Sequence, residues 1–465
     1  MKRQIITYRE HPHRGFPLLL ILIFASSIHG AGPDTLWTKT YGWGDFDGAS
    51  SICPTFDGFY VVTGFVNGSD IWVGCDLWLL KLNAQGDTLW TRTYGGSQND
   101  VGNKIIETSD HGYAILGETE SFGTGNVDIW LLKTNGTGDT TWTRTYGGVG
   151  WEGASSVQQT PDGGYIIVGS TASFGAGYAD VYIIKTDADG ITEWTRTYGG
   201  ANWDGAFSVE VAAVGGYIVA GQTASSGAGN TDAWLLRTDT TGDTLWTRTY
   251  GGSDADEFRS IAETSSDRIV LAGQTKSSGS GDFDVWLTEV DLGGNVLWTR
   301  TYGGPLTEIG ACIIELTNGY LVAGHTQSFG NGDYDIWLLR TNTIGDTIWT
   351  QTHGGYGIEL GLSTVQTTDG GYIVAALTSS FGAGGSDVYL IELTPEVSIY
   401  ERKSEVLRSD MHYATIINGP LASSIEAPYR IYDITGREVR SSNLNAGIYF
   451  IEIDGYFKSK IIKVR

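Results

Sequence analysis

Carboxylates are the main chemistry this chain can offer. Two acidic series recur at fixed phase: Asp47, Asp100, Glu152, Asp204, Asp256, Glu308 and Glu359, and then Asp76, Asp128, Asp180, Asp232, Asp284, Asp335 and Asp387. Carboxylates gathered in glycine-rich loops suit a hard cation such as Ca²⁺, which takes about six to eight oxygen ligands. Two carboxyl groups at one mouth could also cleave a glycosidic bond. A residue needed once per repeat, however, is more simply a builder of the repeat: it caps a turn, accepts backbone N–H groups, or pairs with the recurrent Arg92, Arg144, Arg196, Arg248 and Arg300. Function is then expected where the symmetry breaks. Extra acids break it at Asp254 and Glu257 beside Asp256, at Asp282 beside Asp284, at Asp333 beside Asp335, and at Asp45 and Asp70. Asp254, Asp256, Asp282 and Asp333 are therefore the candidate Ca²⁺ ligands, with a solvated acidic rim as the simpler alternative, since no segment matches a full calcium loop.

Other side chains offer less. His325 and His353 fall in one unit near Glu359, a conceivable metal or acid–base group whose spacing fits no known ligand pattern. Phe122, Phe174, Phe329 and Phe381 recur in SFGxG loops, where a ring either stacks on a sugar or peptide or tucks under its own turn. Cys53, Cys75 and Cys312 match no metal spacing; a Cys53–Cys75 bridge within the first unit competes with the reading of small buried residues. HExxH, GxSxG, P-loop, dinucleotide and CxxC motifs are all missing from the sequence, so no enzyme class gains support from it. The net charge of −24 is carried by residues 31–396, which hold −29, against +3 for residues 1–30 and +2 for residues 397–465. Such a body repels phosphate backbones and anionic lipid, which argues against nucleic-acid partners.

The elements that must position these groups follow from a repeat. LWTRTYGG around Trp90 returns at Trp142, Trp194, Trp246 and Trp298, and in altered form at Trp37 and Trp349, with steps of 53, 52, 52, 52, 52 and 51 residues. Each unit reads as four short strands rich in Val, Ile, Tyr, Thr and Trp, separated by Gly, Asp and Asn turns. Four antiparallel strands per unit of about 50 residues make a propeller blade. The chain opens on a lone outermost-type strand (34–41), while its last unit (361–394) lacks one. The spacing thus predicts an all-β, seven-bladed propeller closed by its N-terminal strand, with the Trp and Tyr of WTRTY filling the space between blades. Both acidic series should ring one mouth of its channel.

The ends carry different signals. Residues 1–30 pair Lys2, Arg3, Arg9 and Arg14 with a short apolar run and small residues, which predicts a signal peptide and no transmembrane segment. After Pro395 charge becomes balanced and glycine thins out, predicting a boundary between a propeller (31–396) and a small C-terminal Ig-like β-sandwich (397–465). Within the latter, YDITGREV with Asp433 and Gly436, GIYFIEI with Gly447 and Tyr449, and KSKIIKVR ending in Lys463 and Arg465 resemble the C-terminal sorting domain of type IX (Por) secretion cargo. Asn445-Ala446 departs mildly from the Pro or Ser usual before GxY. The resemblance implies export through the type IX machinery, loss of the tail, and release or attachment at the outer cell surface. The repeats resemble uncharacterised bacterial propeller repeats with a DGGYIVAGxT core, and their D-x-x-G-x-x-x-W turn is similar to that of quinoprotein propellers; these resemblances imply fold alone. Three functional readings remain: a non-enzymatic binding scaffold for a glycan, peptide or cation-bridged partner, an extracellular polysaccharide hydrolase or lyase, and a structural surface-layer component.

Overall fold

The computed structural model describes residues 32–68 and 74–396 together with five strands between 415 and 463; Asp70 and residues 1–30 lie outside the described residues. The chain divides into two compact units, 1–395 and 396–465. In the first, seven four-stranded antiparallel sheets follow one another in chain order, each with strands A to D numbered from the centre outward. Blade 1 runs from β2 (Phe46–Pro54) to β5 (Thr88–Tyr94), blade 2 from β6 (Asp100–Glu107) to β9 (Thr140–Tyr146), and blade 3 from β10 (Glu152–Gln159) to β13 (Thr192–Tyr198). Blade 4 spans β14 (Asp204–Val211) to β17 (Thr244–Tyr250), blade 5 β18 (Asp256–Glu263) to β21 (Val296–Tyr302), and blade 6 β22 (Glu308–Leu316) to β25 (Thr347–His353). Blade 7 takes three strands, β26 (Glu359–Gln366), β27 (Tyr372–Thr378) and β28 (Asp387–Leu393), and borrows β1 (Thr35–Tyr41) as its fourth. Tyr41 stands opposite Val388 and Trp37 opposite Glu392, and Thr394 N donates to Asp34 O at 2.9 Å. The expected seven-bladed ring closed by the N-terminal strand is what the chain forms, and the A strands meet their neighbours all the way round to β26 against β2.

The repeated aromatics hold adjacent blades together. In each of the first six junctions the strand-D Tyr donates its hydroxyl to the glycine carbonyl in the C–D turn of the next blade, as in Tyr41 to Gly86 at 2.5 Å and Tyr146 to Gly190 at 2.7 Å. The strand-D Trp lies against that same glycine: a Cβ on Gly86 or Gly138 would fall 2.8 or 2.9 Å from the Trp37 or Trp90 ring. The recurrent Arg sits over its own Trp, 5.4–5.7 Å from the ring for Arg92, Arg144, Arg196 and Arg248, and reaches across to Asp139 or Asp243 in the next blade at 3.9 and 3.7 Å for Arg92 and Arg196. These arginines pair with turn acids and not with the acidic rings, correcting one expectation for the ring carboxylates.

Within each blade the strands alternate between two packed faces, and strands B and C are buried almost throughout. The Cys53–Cys75 bridge does not form: both thiols are free, because Cys53 lies opposite Val61 at one end of blade 1 whereas Cys75 lies beyond Asp76, opposite Val66, at the other. In the second unit, β29 (Thr415–Ile417), β30 (Tyr429–Asp433), β31 (Glu438–Val439), β32 (Gly447–Ile453) and β33 (Tyr456–Lys463) form one five-stranded sheet in the order β29-β33-β32-β30-β31. It places Asp433, Gly447, Tyr449 and Lys463 on strands; Gly436 and Arg465 lie outside the described residues.

Candidate functional site

The D–A and B–C loops share one face. The N–H of every strand-A acid donates to the residue before the strand-C acid of the preceding blade, from Asp100 to Cys75 (2.8 Å) round to Asp47 to Ser386 (2.9 Å), so the two acidic series meet at each junction. Their carboxylates flank the first glycine of the YGG motif. A Cβ on Gly95 would sit 2.0 Å from Asp76 Oδ1 and 2.8 Å from Asp100 Oδ2, and five of the other six junctions repeat this.

These acids are structural. Gly96 N donates to Asp100 Oδ2 at 2.7 Å, Gly148 N to Glu152 at 2.9 Å and Gly355 N to Glu359 at 2.7 Å, while Thr119 and Ser121 also donate to Asp100. The strand-C acids cap the B–C loop in the same way, as Thr124 N to Asp128 (2.8 Å) and Ala176 N to Asp180 (2.8 Å). Burial, and then the facing carboxylate, push Asp76, Asp284 and Asp387 above the usual range. Carboxylates committed to backbone N–H groups and hydroxyls are not free for acid–base work.

The candidate Ca²⁺ ligands are dispersed. Asp256 is a ring acid, buried and bonded to Gly252 N, Thr275 and Ser277. Asp282 pairs with Lys276 at 2.5 Å, Asp254 contributes its N–H to Ser277 Oγ, and Asp333 is exposed in blade 6. Among the described residues no three His, Cys, Asp or Glu side chains are grouped to hold a metal ion. His325 and His353 both lie opposite Ile336, on the strands either side of it, so two strand spacings of roughly 5 Å separate them. Glu359 is taken up by Thr378, Ser380 and Gly355, so the three do not form one group. Burial lowers both imidazoles, His325 to about 4 with Arg259 nearby, so both are neutral at pH 7.

Another set, mostly unmarked by motif, gathers on the two inner strands near this face. Two positions in each blade change residue type strongly from one blade to the next. One closes strand B: Phe65, Glu118, Ser170, Gln222, Gln274, His325 and Leu377. The other is the β-bulge residue of strand A: Ser50, Asn103, Ser155, Phe207, Arg259, Ala311 and Leu362. A bulge re-aims the side chain it carries. From blade 3 to blade 6 these positions form a polar and aromatic arc. The Trp151 and Trp203 rings lie 5.7 Å apart, tilted by 33°. Gln222, with its amide nitrogen towards Glu257 Oε2 (2.9 Å), accepts from the Trp203 indole at 3.3 Å. Arg259 Nε donates to Glu257 Oε1 at 2.5 Å, and its guanidinium lies 5.8 Å from the Phe207 ring. Beside them, Gln274 Oε1 and His325 Nδ1 are buried, each on a residue 7% exposed, and have no hydrogen-bond partner. In blade 7 the same rim is apolar, with Leu360, Leu362 and Leu377. A column-by-column alignment of the seven units could have exposed this arc in the sequence; a search for acids alone could not.

Comparison with known proteins gives only distant likenesses. No protein-family model matches the chain. A stretch of 152 residues is 28% identical to the regulatory protein FlaEY of Caulobacter vibrioides, covering 27% of this chain and 16% of that protein, so the chain spans about a sixth of that relative's length. Among solved structures, the Pan2 WD40 domain of Neurospora crassa aligns with a TM-score of 0.47 at 12% identity, covering 76% of this chain and 90% of that one. PorZ, a surface component of the type IX secretion system of Porphyromonas gingivalis, aligns at 0.46 and 10%, covering 91% and 60%. The extracellular domain of a putative hybrid two-component system from B. thetaiotaomicron aligns at 0.44 and 11%, covering 92% and 57%.

Proposed function

We propose that this protein is a non-enzymatic binding propeller of the cell exterior, exported through the type IX pathway, that takes its ligand at the arc between blades 3 and 6. The observation that carries this reading is the break in sevenfold symmetry. On a face whose repeated carboxylates are spent on their own loops, one sector offers a close Trp pair, an Arg–Glu pair, and the side chains of Gln222, Gln274 and His325. Aromatic faces beside hydrogen-bonding side chains suit a glycan or a peptide, which present apolar patches and polar edges together. The acidic outer surface excludes polyanions from the same role.

Export rests on the resemblance of the tail. Removing residues 429–465 is expected to leave the protein in the periplasm, as read by fractionation and blotting of the producing cells; unchanged appearance outside the cell would overturn this part. The ligand itself is sought on arrays of surface glycans and peptides probed with the labelled protein. The expected result is a selective hit that survives chelator, and uniform silence across both arrays would count against a binding role.

A further inference from the structure

The repeat supplies its own template for a second binding feature. In blades 2, 3, 6 and 7 the B–C loop carries Phe122, Phe174, Phe329 and Phe381, and each ring covers the strand-C aromatic of its own blade: Trp130 at 5.5 Å, Tyr182 at 5.5 Å, Trp337 at 5.4 Å and Tyr389 at 5.2 Å. The second glycine of the motif lies under the ring tip; a Cβ there would be 3.1–3.4 Å from the Phe Cζ in these four blades. In blade 1 the same duty falls to Trp43, 5.1 Å from Trp78.

Blades 4 and 5 have Ser226 and Ser278 where the Phe belongs. In blade 5 the strand-C Trp286 is present and fixed: the indole N–H donates to Thr299 Oγ1 at 2.6 Å, and Phe258, unique to this blade at that position, stacks on the ring at 4.6 Å and 25°. Blade 4 has Ala206 in the place of Phe258, so its Trp234 lacks that backing. Where the Phe is missing, a cavity of about 350 Å³ opens in blade 5, its lining including Gly252, Thr275, Ser277, Ser278, Trp286 and Arg300. That volume falls within the roughly 300–1,000 Å³ of small-molecule sites. It lies on the loop face, in the sector of the arc, and the chain's own side chains in four sister blades show which group this shape accepts.

We propose that the blade 5 cavity receives a phenylalanine or tyrosine side chain from a partner polypeptide, in the place beside Gly252 and Trp286 that Phe122 takes beside Gly96 and Trp130. The proposal rests on the binding reading of this face and narrows its ligand to one carrying an aromatic residue. Ring–ring contacts contribute about 0.5–1.5 kcal/mol beyond the area they bury, so a single residue binds weakly and a ligand-observed method is needed. Saturation-transfer NMR on the full protein would use N-acetyl-Gly-Phe-Gly-amide, with the Leu peptide and methyl β-glucoside as comparisons. Transfer to the phenyl protons is expected, little to Leu or glucoside, and a drop of about tenfold, equivalent to about 1.4 kcal/mol, in Ser278→Phe, which restores the repeat's own ring. Phe122→Ser should open a second cavity and raise transfer, and this reciprocal variant guards against a misfolded Ser278→Phe. No transfer in the native protein, equal transfer in Ser278→Phe, or transfer to glucoside that Ser278→Phe abolishes would each overturn the proposal. Array binding that survives Ser278→Phe would leave the arc reading standing by itself.

Discussion

At the scale of single residues, the same chemical type does opposite work depending on what surrounds it. Repeated acids such as Asp100 and Asp335 accept backbone N–H groups or hydroxyls and serve the loops, whereas two glutamates outside the series sit in low-dielectric surroundings. Burial pushes Glu118 to about 6 and Glu210 to about 7, partly offset by Ala154 N–H and Asn103 for the first and by Gln158 for the second. Their folded-state values lie above those of the unfolded chain, so the fold favours the protonated form. Stability is complete below the unfolded value near pH 4.5 and is lost as pH rises through 6 and 7. A tenfold change in proton affinity is equivalent to about 1.4 kcal/mol, so each group costs the fold on the order of 2–3 kcal/mol by pH 8. Glu210→Gln is therefore expected to flatten the decline in melting temperature between about pH 5 and pH 8, measured by calorimetry; an unchanged slope would contradict burial as the cause. Composition could show that acids were abundant, but whether a given acid faced N–H groups or a dry wall was decided by the fold.

At the scale of elements, closure explains departures that the sequence alone presents as candidate chemistry. Blade 7 has no C–D turn, since its fourth strand comes from the other end of the chain. The junction from blade 6 therefore lacks the glycine carbonyl that every other strand-D tyrosine bonds, and there the motif reads Gln351 and His353 in place of Arg and Tyr. Gly32 stands in for the turn glycine: a Cβ on it would lie 3.4 Å from the Trp349 ring and 3.0 Å from Gln351 Oε1. His353 is thus a seam residue, and its neutrality follows from burial. The consequence is asymmetric. Tyr146→Phe should cost about 0.5–1.5 kcal/mol, the net worth of one hydrogen bond, while His353→Tyr should gain no such increment, both read from urea unfolding. A gain at His353 equal to the loss at Tyr146 would mean that the seam is built like the other junctions. The strand count, the turn positions and the closing strand were all legible from Trp spacing and phase, because period-two aromatic patterning and glycine turns are local signals. The arc was not, because it joins residues about 50 positions apart that meet only across blades, and the blade 5 cavity was marked only by Ser278 standing where four other units have Phe.

At the scale of the whole propeller, seven near-identical blades make a ring in which each interface is built from the same Trp, Tyr and Gly contacts, and that regularity makes exceptions readable. Among the described residues the candidate Ca²⁺ ligands do not come together as one group, with Asp256 held in the ring and Asp282 paired with Lys276. What remained distinctive was a polar arc from Trp151 to His325 and, within its sector, the cavity beside Ser278. The proposed ligand recognition is therefore sought in this sector rather than around the ring as a whole. The most direct measurement compares the affinity of the array-identified ligand for the native protein, Arg259→Ala, Trp203→Ala, and Phe56→Ala, which alters an exposed ring in an A–B turn on the opposite face. The expected result is a loss of about tenfold or more for the first two variants, as for central interface residues, and native affinity for Phe56→Ala. Equal affinity in all four proteins, or a loss confined to Phe56→Ala, would contradict it.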